Sequence, residues 1–267
     1  MSGPIAVRHR LALGIEALDA TTRTLAGPGL TAVRETPRGQ FALDSDDNGR
    51  FKLRHGPGVG ASVVLRLDDP SRRFVPRRFT VPLWTLAEVL PVDQDPPTGP
   101  YIPVASRLLR PWLLPGSAYR ATRGTTALRG RVVRDDGQPA RWARVNGLGA
   151  KGELLGWTHC DDRGEFLLLL GTAGALPPPA PDTLDVTLVV TAPATATTPD
   201  PADRLADLVA EEVTRSSVPP KPSDLDNDLV RGLAVPPGYR TSTAPRPQLT
   251  VPVGEVLAVA PDVVFTS

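Results

Sequence analysis

The sequence contains few of the residues on which catalytic and metal sites usually depend. Its 267 residues include one cysteine and three histidines. Because Cys160 is the single cysteine, an internal disulfide framework is excluded, and such usage is typical of a reducing compartment. Structural zinc takes four ligands, and serine or cysteine catalysis needs a histidine base in a suitable context. We therefore predict no metal, no cofactor and no catalytic residue, and we interpret His159, beside Cys160, as structural.

Long apolar runs and aromatic residues are also scarce. No apolar run reaches the roughly 18 residues of a membrane-spanning helix. Residues 1–20 alternate like a strand, unlike the apolar block of a signal peptide. We therefore expect no membrane span and a cytoplasmic location. Aromatic residues make up 5% of the chain and the pI is near 8.0, which together disfavour nucleic acid as a partner.

Net charge is close to zero, but the charges are unevenly distributed along the chain. Residues 1–134 contain 20 basic and 11 acidic residues, whereas residues 135–267 contain 10 and 18, so the two parts carry about +9 and −8. One interpretation is compositional drift on two solvated surfaces. The other is electrostatic pairing, either between domains of one chain or head to tail between subunits.

Proline and glycine are abundant, with 31 and 24 residues, which favours many turns over long helices. Residues 128–170 show the pattern most clearly. Val132 and Val133 end at Asp135-Asp136-Gly137, which predicts a tight hairpin followed by a strand around Val145. A second turn at residues 161–164 leads into a buried strand that begins at Phe166.

This stretch resembles the carboxypeptidase regulatory-like domain, a transthyretin-like β-sandwich. The family pattern is roughly G-x-V, then D-x-x-G-x-P-x-x-x-A-x-V, then T-x-x-D-x-x-G-x-F. The resemblance implies a non-catalytic accessory domain. Matching positions in this sequence are Gly130, Val132, Asp135, Pro139, Ala143, Val145, Asp161, Gly164 and Phe166.

The same fold is shared with intradiol dioxygenases, and Pro237-Gly238-Tyr239 is similar to their P-G-x-Y region. Those enzymes hold iron with two tyrosines and a His-x-His pair. Because no histidine follows His159, this resemblance implies no iron site here. An enzyme is the third-ranked interpretation, and it would need converging carboxylates with shifted pKa values.

A second copy of one motif lies earlier in the chain. Residues 46–53 and 161–168 both read D-D-x-G-x-F-x-L, which predicts two sandwiches in tandem; chance recurrence of a common hairpin turn is the alternative. Residues 44–49 also fit the opening of a calcium loop. The twelfth position of such a loop is glutamate, but here it is His55, so a plain turn is favoured.

We therefore predict an all-β protein made of two tandem transthyretin-like or Ig-like β-sandwiches with a short helical insertion in the second. The predicted N-terminal sandwich spans residues 1–90, a proline-rich apolar connector 91–118, and the C-terminal sandwich 119–267 with a helix and arm at about 198–246. Asp200-Pro201 is typical of a helix start, and Glu211 would pair with Arg215 four residues on. The apolar connector is expected to pack on a sandwich or a partner.

The candidate site is a protein-contact surface. Arginines cluster just before the end of the first sandwich, and apolar residues follow in the connector, so an acidic protein partner is favoured. The residues predicted to make this contact are Arg72, Arg73, Arg77, Arg78, Trp112, Leu113 and Leu114.

These observations predict a non-catalytic structural or adaptor protein that acts through protein partners or self-assembly. Residues 123–132, R-G-T-T-A-L-R-G-R-V, resemble proteins found beside phage-tail-like contractile injection particles, which implies a part of a bacterial particle. The alternative is a carbohydrate- or surface-binding module. Exposure on one open face would favour it, and burial would disfavour it, for four residues: Trp84, Trp112, Trp142 and Trp157.

Overall fold

A computed structural model describes residues 10–93, 98–171 and 181–267. Within these ranges the chain is folded almost entirely as β-strands, with two α-helices of four residues each. The predicted all-β class is confirmed. The front of the predicted first strand, including Ile5 and Val7, lies outside the described residues.

The N-terminal half, up to residue 118, alternates short strands with glycine- and proline-rich turns. One α-helix, α1 (Leu86–Val89), begins at Thr85, whose side chain and that of Glu88 form a capping box. It continues into a 3₁₀ turn at Leu90–Asp93, and a second 3₁₀ turn spans Val104–Arg107. The strands are β1 (Leu11–Ile15), β2 (Leu18–Asp19), β3 (Thr31–Thr36), β4 (Gly39–Ala42), β5 (Asp44–Ser45), β6 (Phe51–Arg54), β7 (Ser62–Asp68), β8 (Arg77–Pro82), β9 (Leu108–Leu109) and β10 (Trp112–Leu113).

The C-terminal half, from residue 119, is also built from strands. Its one α-helix is α2 (Pro222–Leu225). The strands are β11 (Ala127–Arg134), β12 (Arg144–Leu148), β13 (Leu154–His159), β14 (Glu165–Leu169), β15 (Thr183–Pro193), β16 (Ala210–Glu212), β17 (Tyr239–Thr241), β18 (Gln248–Pro252), β19 (Val256–Ala258) and β20 (Val263–Phe265).

Two sheets enclose the first core. One has the strand order β5-β6-β1-β9, and the other has the order β16-β8-β7-β3-β4. Ile15 and Phe51 from the first sheet pack in one cluster with Leu65 and Phe79 from the second. Strand β16 comes from the C-terminal half and pairs parallel with β8, so the two halves share a sheet.

The chain between residues 98 and 118 lies along the first sandwich. β9 pairs parallel with β1, and β10 pairs parallel with β2. Leu109 and Leu113 are buried in the first core. The predicted domain limits at 90 and 118 stay predictions, but the apolar residues of this segment have a clear packing partner.

The second core lies between β14-β11-β19, with β20 also beside β11, and β13-β12-β15-β17, with β18 also on β15. Leu128 and Phe166 of the first sheet meet Val145 and Leu188 of the second in one buried cluster. Since β12 pairs with β13 and β15, the predicted hairpin between β11 and β12 is wrong.

The turn that should have closed this hairpin is present. Gly137 has a φ of 80° and donates its N–H to the Arg134 carbonyl. After one bridge from Val133 to Pro139, the chain leaves β11. Trp142 takes a φ of 60°, a left-handed conformation that redirects the backbone, and β12 begins in the opposite sheet.

The duplicated D-D-x-G-x-F motif has the same hydrogen bonds in both copies. The Asp46 Oδ1 accepts from the N–H groups of residues 48 and 50, and Asp161 Oδ1 accepts from residues 163 and 165. Gly49 and Gly164 have φ values of 78° and 75°, as each turn requires. With these oxygens engaged by backbone donors, both motifs are plain turns.

The predicted helix after Asp200 is also wrong. Residues 200–207 form consecutive turns, followed by the extended strand β16. Leu205 and Leu208 are buried against Trp142, which explains the helix-like spacing of apolar residues. Arg215 pairs with Glu88 rather than with Glu211.

Candidate functional site

The predicted contact residues converge on the junction between the two halves of the chain. Arg72 precedes β8 and reaches the turn between β13 and β14, where its Nη1 lies 3.0 Å from Asp161 Oδ2 and 2.6 Å from Asp162 Oδ1. Burial opposes ionisation of Asp162, but the hydrogen bonds and charge of Arg72 outweigh it and lower the pKa of this carboxyl. The second copy of the repeated turn is therefore the binding site for Arg72.

Arg77 is the most deeply buried charge at the junction, with 1% of the residue exposed. Its Nε and Nη2 donate to the two oxygens of Glu211 at 3.0 and 2.7 Å. Its remaining donors reach the carbonyl oxygens of Trp112, Leu229 and Val230 at 2.6–2.9 Å. All five guanidinium N–H groups therefore have an acceptor, as a buried arginine requires.

Arg144 approaches the same carboxylate from β12. Its Nη2 lies 3.4 Å from Glu211 Oε2, and its Nη1 donates to the Gly232 carbonyl at 2.7 Å. Burial lowers the pKa of Arg144, and the charge of Glu211 opposes that shift. The Nε of Arg144 has no hydrogen-bond partner. Two buried cations therefore share one carboxylate, with backbone carbonyls supplying the rest of the compensation.

His159 lies against this cluster and is neutral. Its Nε2 is 2.7 Å from the Gly232 carbonyl, which can only accept, so this nitrogen carries the proton. Burial, reinforced by the charges of Arg144 and Arg77, lowers the pKa of His159 well below its usual value. Burial also raises the pKa of the Cys160 thiol well above its usual range. Neither side chain is available as a base or nucleophile in this arrangement.

A second group of ion pairs lies farther along the junction. Arg66 Nη1 bonds both oxygens of Asp203 at 2.8 and 2.7 Å, and Arg66 also pairs with Glu35. In the reverse direction, Arg204 bonds Asp68 at 2.6 and 2.7 Å. Electrostatic pairing between the two halves, one of the alternatives drawn from the uneven charge, is thus present inside the chain.

The predicted contact surface needs a correction. Arg77, Trp112, Leu113 and Leu114 are buried inside the chain, so they are inaccessible to another protein. The acidic partner of Arg72 and Arg77 is the C-terminal half of the same chain. Arg73 and Arg78 also bond within the chain, to Asp69 and Glu35 respectively.

An open cleft lies at one end of the junction. Its volume is about 430 Å³, and the side chains that line it come from both halves. Trp112 and Trp157 stack in its wall with ring centroids 6.4 Å apart and planes 19° from parallel. Arg23 and Arg231 each lie 5.3 Å from the centre of the Trp112 ring.

Sequence reasoning missed several residues of the junction. Arg144 reads as the polar side of an alternating strand, and Glu211 reads as a helix surface residue. Arg23 lies in a loop with no recognisable motif. The only local signal was the excess of arginine around position 75, which indicated an acidic partner but not its location.

Within residues 10–93, 98–171 and 181–267, no group of three or more histidine, cysteine, aspartate or glutamate side chains could hold a metal ion. In the same ranges, no helix has the length and apolar character needed to cross a membrane.

No protein-family model and no curated protein sequence matches the chain. Among solved structures, the Bacillus anthracis TIE protein shares 10% identity over 96% of this chain and 34% of its own, with a TM-score of 0.24. A mutant of shaft pilin SpaA from Lactobacillus rhamnosus GG shares 10% identity over 96% of this chain and 99% of its own, also with a TM-score of 0.24. A biofilm-associated protein BSP domain shares 9% identity over 68% of this chain and 26% of its own, with a TM-score of 0.16. TM-scores at this level do not establish a shared fold, and the chain spans about a third of the TIE protein.

Proposed function

We propose that the chain is a non-catalytic structural or adaptor protein that acts by protein–protein assembly, as a cytoplasmic part of a bacterial phage-tail-like contractile injection particle. The observation that carries the structural role is the complete bonding of Arg77 across the junction, together with the pairing of β16 with β8. A shared sheet and a fully bonded buried charge fix the orientation of the two halves. Such a body suits a building block that transmits position rather than one that performs chemistry.

The state of the chemistry-bearing side chains supports this proposal. Asp161, Asp162, Glu211 and His159 are all engaged in bonds that hold the junction. Burial raises the pKa of Tyr239, so its phenol stays protonated, and its hydroxyl donates to the Trp142 carbonyl. These groups have structural partners in place of a substrate.

The surface best suited to assembly is the open edge of β4. Within the described residues no strand lies beyond β4. The Leu43 N–H bonds the Ala32 carbonyl, so alternation directs the backbone groups of Ala42 and Gln40 away from β3. An unpaired edge of this kind accepts a strand from another chain.

The surroundings of this edge favour an acidic, extended partner segment. Phe41 is 46% exposed, and the Arg34 guanidinium lies 5.4 Å from its ring centre. A groove of about 330 Å³ beside it is lined by Arg34, Lys52 and Arg54, with Asp44 as the single acidic residue. Apolar contact, basic charge and free backbone donors therefore occur together.

The proposal is tested by purifying the tagged chain from its native host and determining the masses of co-eluting proteins. Ala42→Pro removes one outward N–H of β4 and should abolish co-elution of the partner. Ala42→Val keeps that N–H and serves as the matched control. A wild-type chain that elutes as a monomer without partners contradicts the assembly role.

The carbohydrate-binding alternative has weaker support. Trp112 and Trp142 are buried, whereas Trp84 and Trp157 are half-buried. One face of Trp84 is covered by Arg215, whose guanidinium carbon lies 3.6 Å from the ring centre, and Trp157 stacks on Trp112. The four rings do not share one open face of the kind on which a sugar chain stacks.

A further inference from the structure

We propose that the cleft beside Trp112 and Trp157 binds an amphiphilic carboxylate, a small molecule with an apolar body and one carboxylate head. Its volume of about 430 Å³ is within the range of small-molecule sites. This inference is independent of the assembly role, because the cleft lies at the junction and the proposed assembly edge is β4.

The body of the ligand would contact an apolar wall. Trp112, Leu114 and Leu155 are buried in this wall, and Leu154 and Leu169 are half-buried at its sides. These side chains come from both sandwiches, so a ligand here would touch both halves. Filling the cleft removes apolar surface from water, which favours binding of a hydrocarbon chain or ring.

Arg23 would bind the head. It is the one charged residue in the lining of the cleft, and it is exposed at the mouth. Among the described residues, its guanidinium has a ring contact with Trp112 but no recorded hydrogen bond or ion pair. Arg231, at the same distance from that ring, has a bidentate pair with Asp226 at 2.7 Å for each bond. Asp226 is also the acid whose charge couples to Arg23.

The backbone at Arg23 supports a ligand-directed role. Its φ is 58°, in the left-handed region that favours glycine or asparagine. The Arg23 N–H donates to the Asp19 carbonyl at 2.8 Å, and Asp19 itself accepts from Thr21 N–H and Tyr119 Oη. The turn is therefore fixed, and it holds a long basic side chain in a conformation that such residues rarely adopt. Strained positions of this kind concentrate at functional sites.

The chemistry of the cleft selects a carboxylate over other ligands. An arginine fork matches a carboxylate in a planar, two-bond geometry. A sugar would need several polar partners, but Thr21 is the only other lining side chain that can donate a hydrogen bond, apart from the tryptophans. One monovalent anionic head with an apolar body fits what the cleft offers.

Intrinsic tryptophan fluorescence provides the test, because Trp112 and Trp157 lie in the wall. The full chain is titrated with octanoate, 1-octanol, octyltrimethylammonium and maltose. We expect saturable binding of octanoate, about tenfold tighter than octanol, as expected for one charge-assisted contact worth a factor of ten. Octyltrimethylammonium should bind more weakly than octanol, and maltose should not bind.

Variants at an exposed position separate recognition from folding. Arg23→Gln should remove the preference for octanoate over octanol, and Arg23→Glu should reverse it in favour of octyltrimethylammonium. Arg38→Gln, another exposed arginine outside the cleft, is the matched control and should bind like the wild type. Absence of octanoate binding, equal binding of octanoate and octanol by the wild type, or saturable binding of maltose would each overturn the proposal.

Discussion

At the scale of single residues, the junction depends on how buried charges are compensated. Arg77 has an acceptor for each of its donors, while Arg144 shares the same carboxylate and leaves its Nε without a partner. A buried ion pair adds little stability over a well-packed apolar pair, yet breaking one is costly. The cluster around Glu211 therefore serves mainly to allow one arrangement of the two halves.

Glu211→Gln should destabilise the protein strongly, because it removes the one negative charge between Arg77 and Arg144. We expect the free energy of unfolding to fall by about 3 kcal/mol or more. Glu212→Gln changes the adjacent, exposed residue and should alter the free energy of unfolding by less than about 0.5 kcal/mol. Urea denaturation of both variants measures the difference. Equal shifts in midpoint would show that the buried charge is not needed.

His159 makes the stability of the fold depend on pH. Its pKa is lowered in the folded chain, whereas in the unfolded chain it takes up a proton near pH 6.5. Below that pH the unfolded chain binds more protons, so the contribution is complete above pH 6.5 and is lost as the pH falls. The expected slope is about 1.4 kcal/mol per pH unit below pH 6.5.

His159→Gln keeps a side-chain donor for the Gly232 carbonyl but does not titrate. Urea midpoints measured between pH 7 and pH 5.5 should therefore show a shallower slope in this variant than in the wild type. The control is His55→Gln; burial also lowers the pKa of His55, though this residue is more exposed than His159. An unchanged slope in His159→Gln would contradict the assignment.

The arginine cluster shows what local sequence can and cannot predict. The row of arginines before β8 indicated an acidic partner, and its members do meet acidic side chains. The identity of that partner was out of reach, because Glu211 is 134 positions from Arg77. No periodicity within a window of a few residues carries information over such a separation.

At the scale of elements, β16 is where sequence reasoning failed. Asp200-Pro201 followed by leucines at helical spacing predicts a helix, and the same residues serve a chain of turns equally well. The deciding factor is tertiary, because Asp203 and Asp207 bond Arg66 and Arg141 instead of capping a helix. The chain then extends along β8, whose edge would otherwise be unpaired.

Proline substitutions should locate the energetic contribution of β16. The Val213 N–H donates to the Thr80 carbonyl at 2.9 Å, so Val213→Pro should cost about 1–3 kcal/mol through the unpaired carbonyl. The Glu212 N–H points the other way, and a proline on the open side of an edge strand is tolerated. Val213→Ala corrects for the lost side chain. Thermal denaturation in which Glu212→Pro is the more damaging variant would reverse the proposed register.

At the scale of the whole molecule, the unequal charge of the two parts of the sequence corresponds to a contact inside the chain. Pairs from Arg66, Arg72 and Arg77 to acidic residues of the C-terminal half cross the junction. Alternating strands and the repeated D-D-x-G-x-F turn predicted the β class correctly, since both depend on local backbone chemistry. The sharing of β16 between sandwiches depends on where a distant edge is open, which the sequence does not encode locally.

A chain divided in the exposed turn at residues 122–125 should still assemble. Co-expressed fragments 1–123 and 124–267 retain the strand pair of β8 and β16, the bonds of Arg77 and the Trp112–Trp157 stack. We expect them to co-purify through a tag on one fragment. Arg72→Glu should weaken the complex, because it places a third negative charge beside Asp161 and Asp162, whereas Arg123→Glu, at the cut, should not.

The same fragments expressed alone provide the decisive comparison. Fragment 1–123 lacks Glu211 and β16, so Arg77 would be left as an unpaired charge beside an unpaired edge of β8. We therefore expect this fragment to unfold at lower urea concentration than it does in the complex. If it were equally stable alone, the two sandwiches would be independent domains. A rigid junction would then not follow from the buried bonds of Arg77.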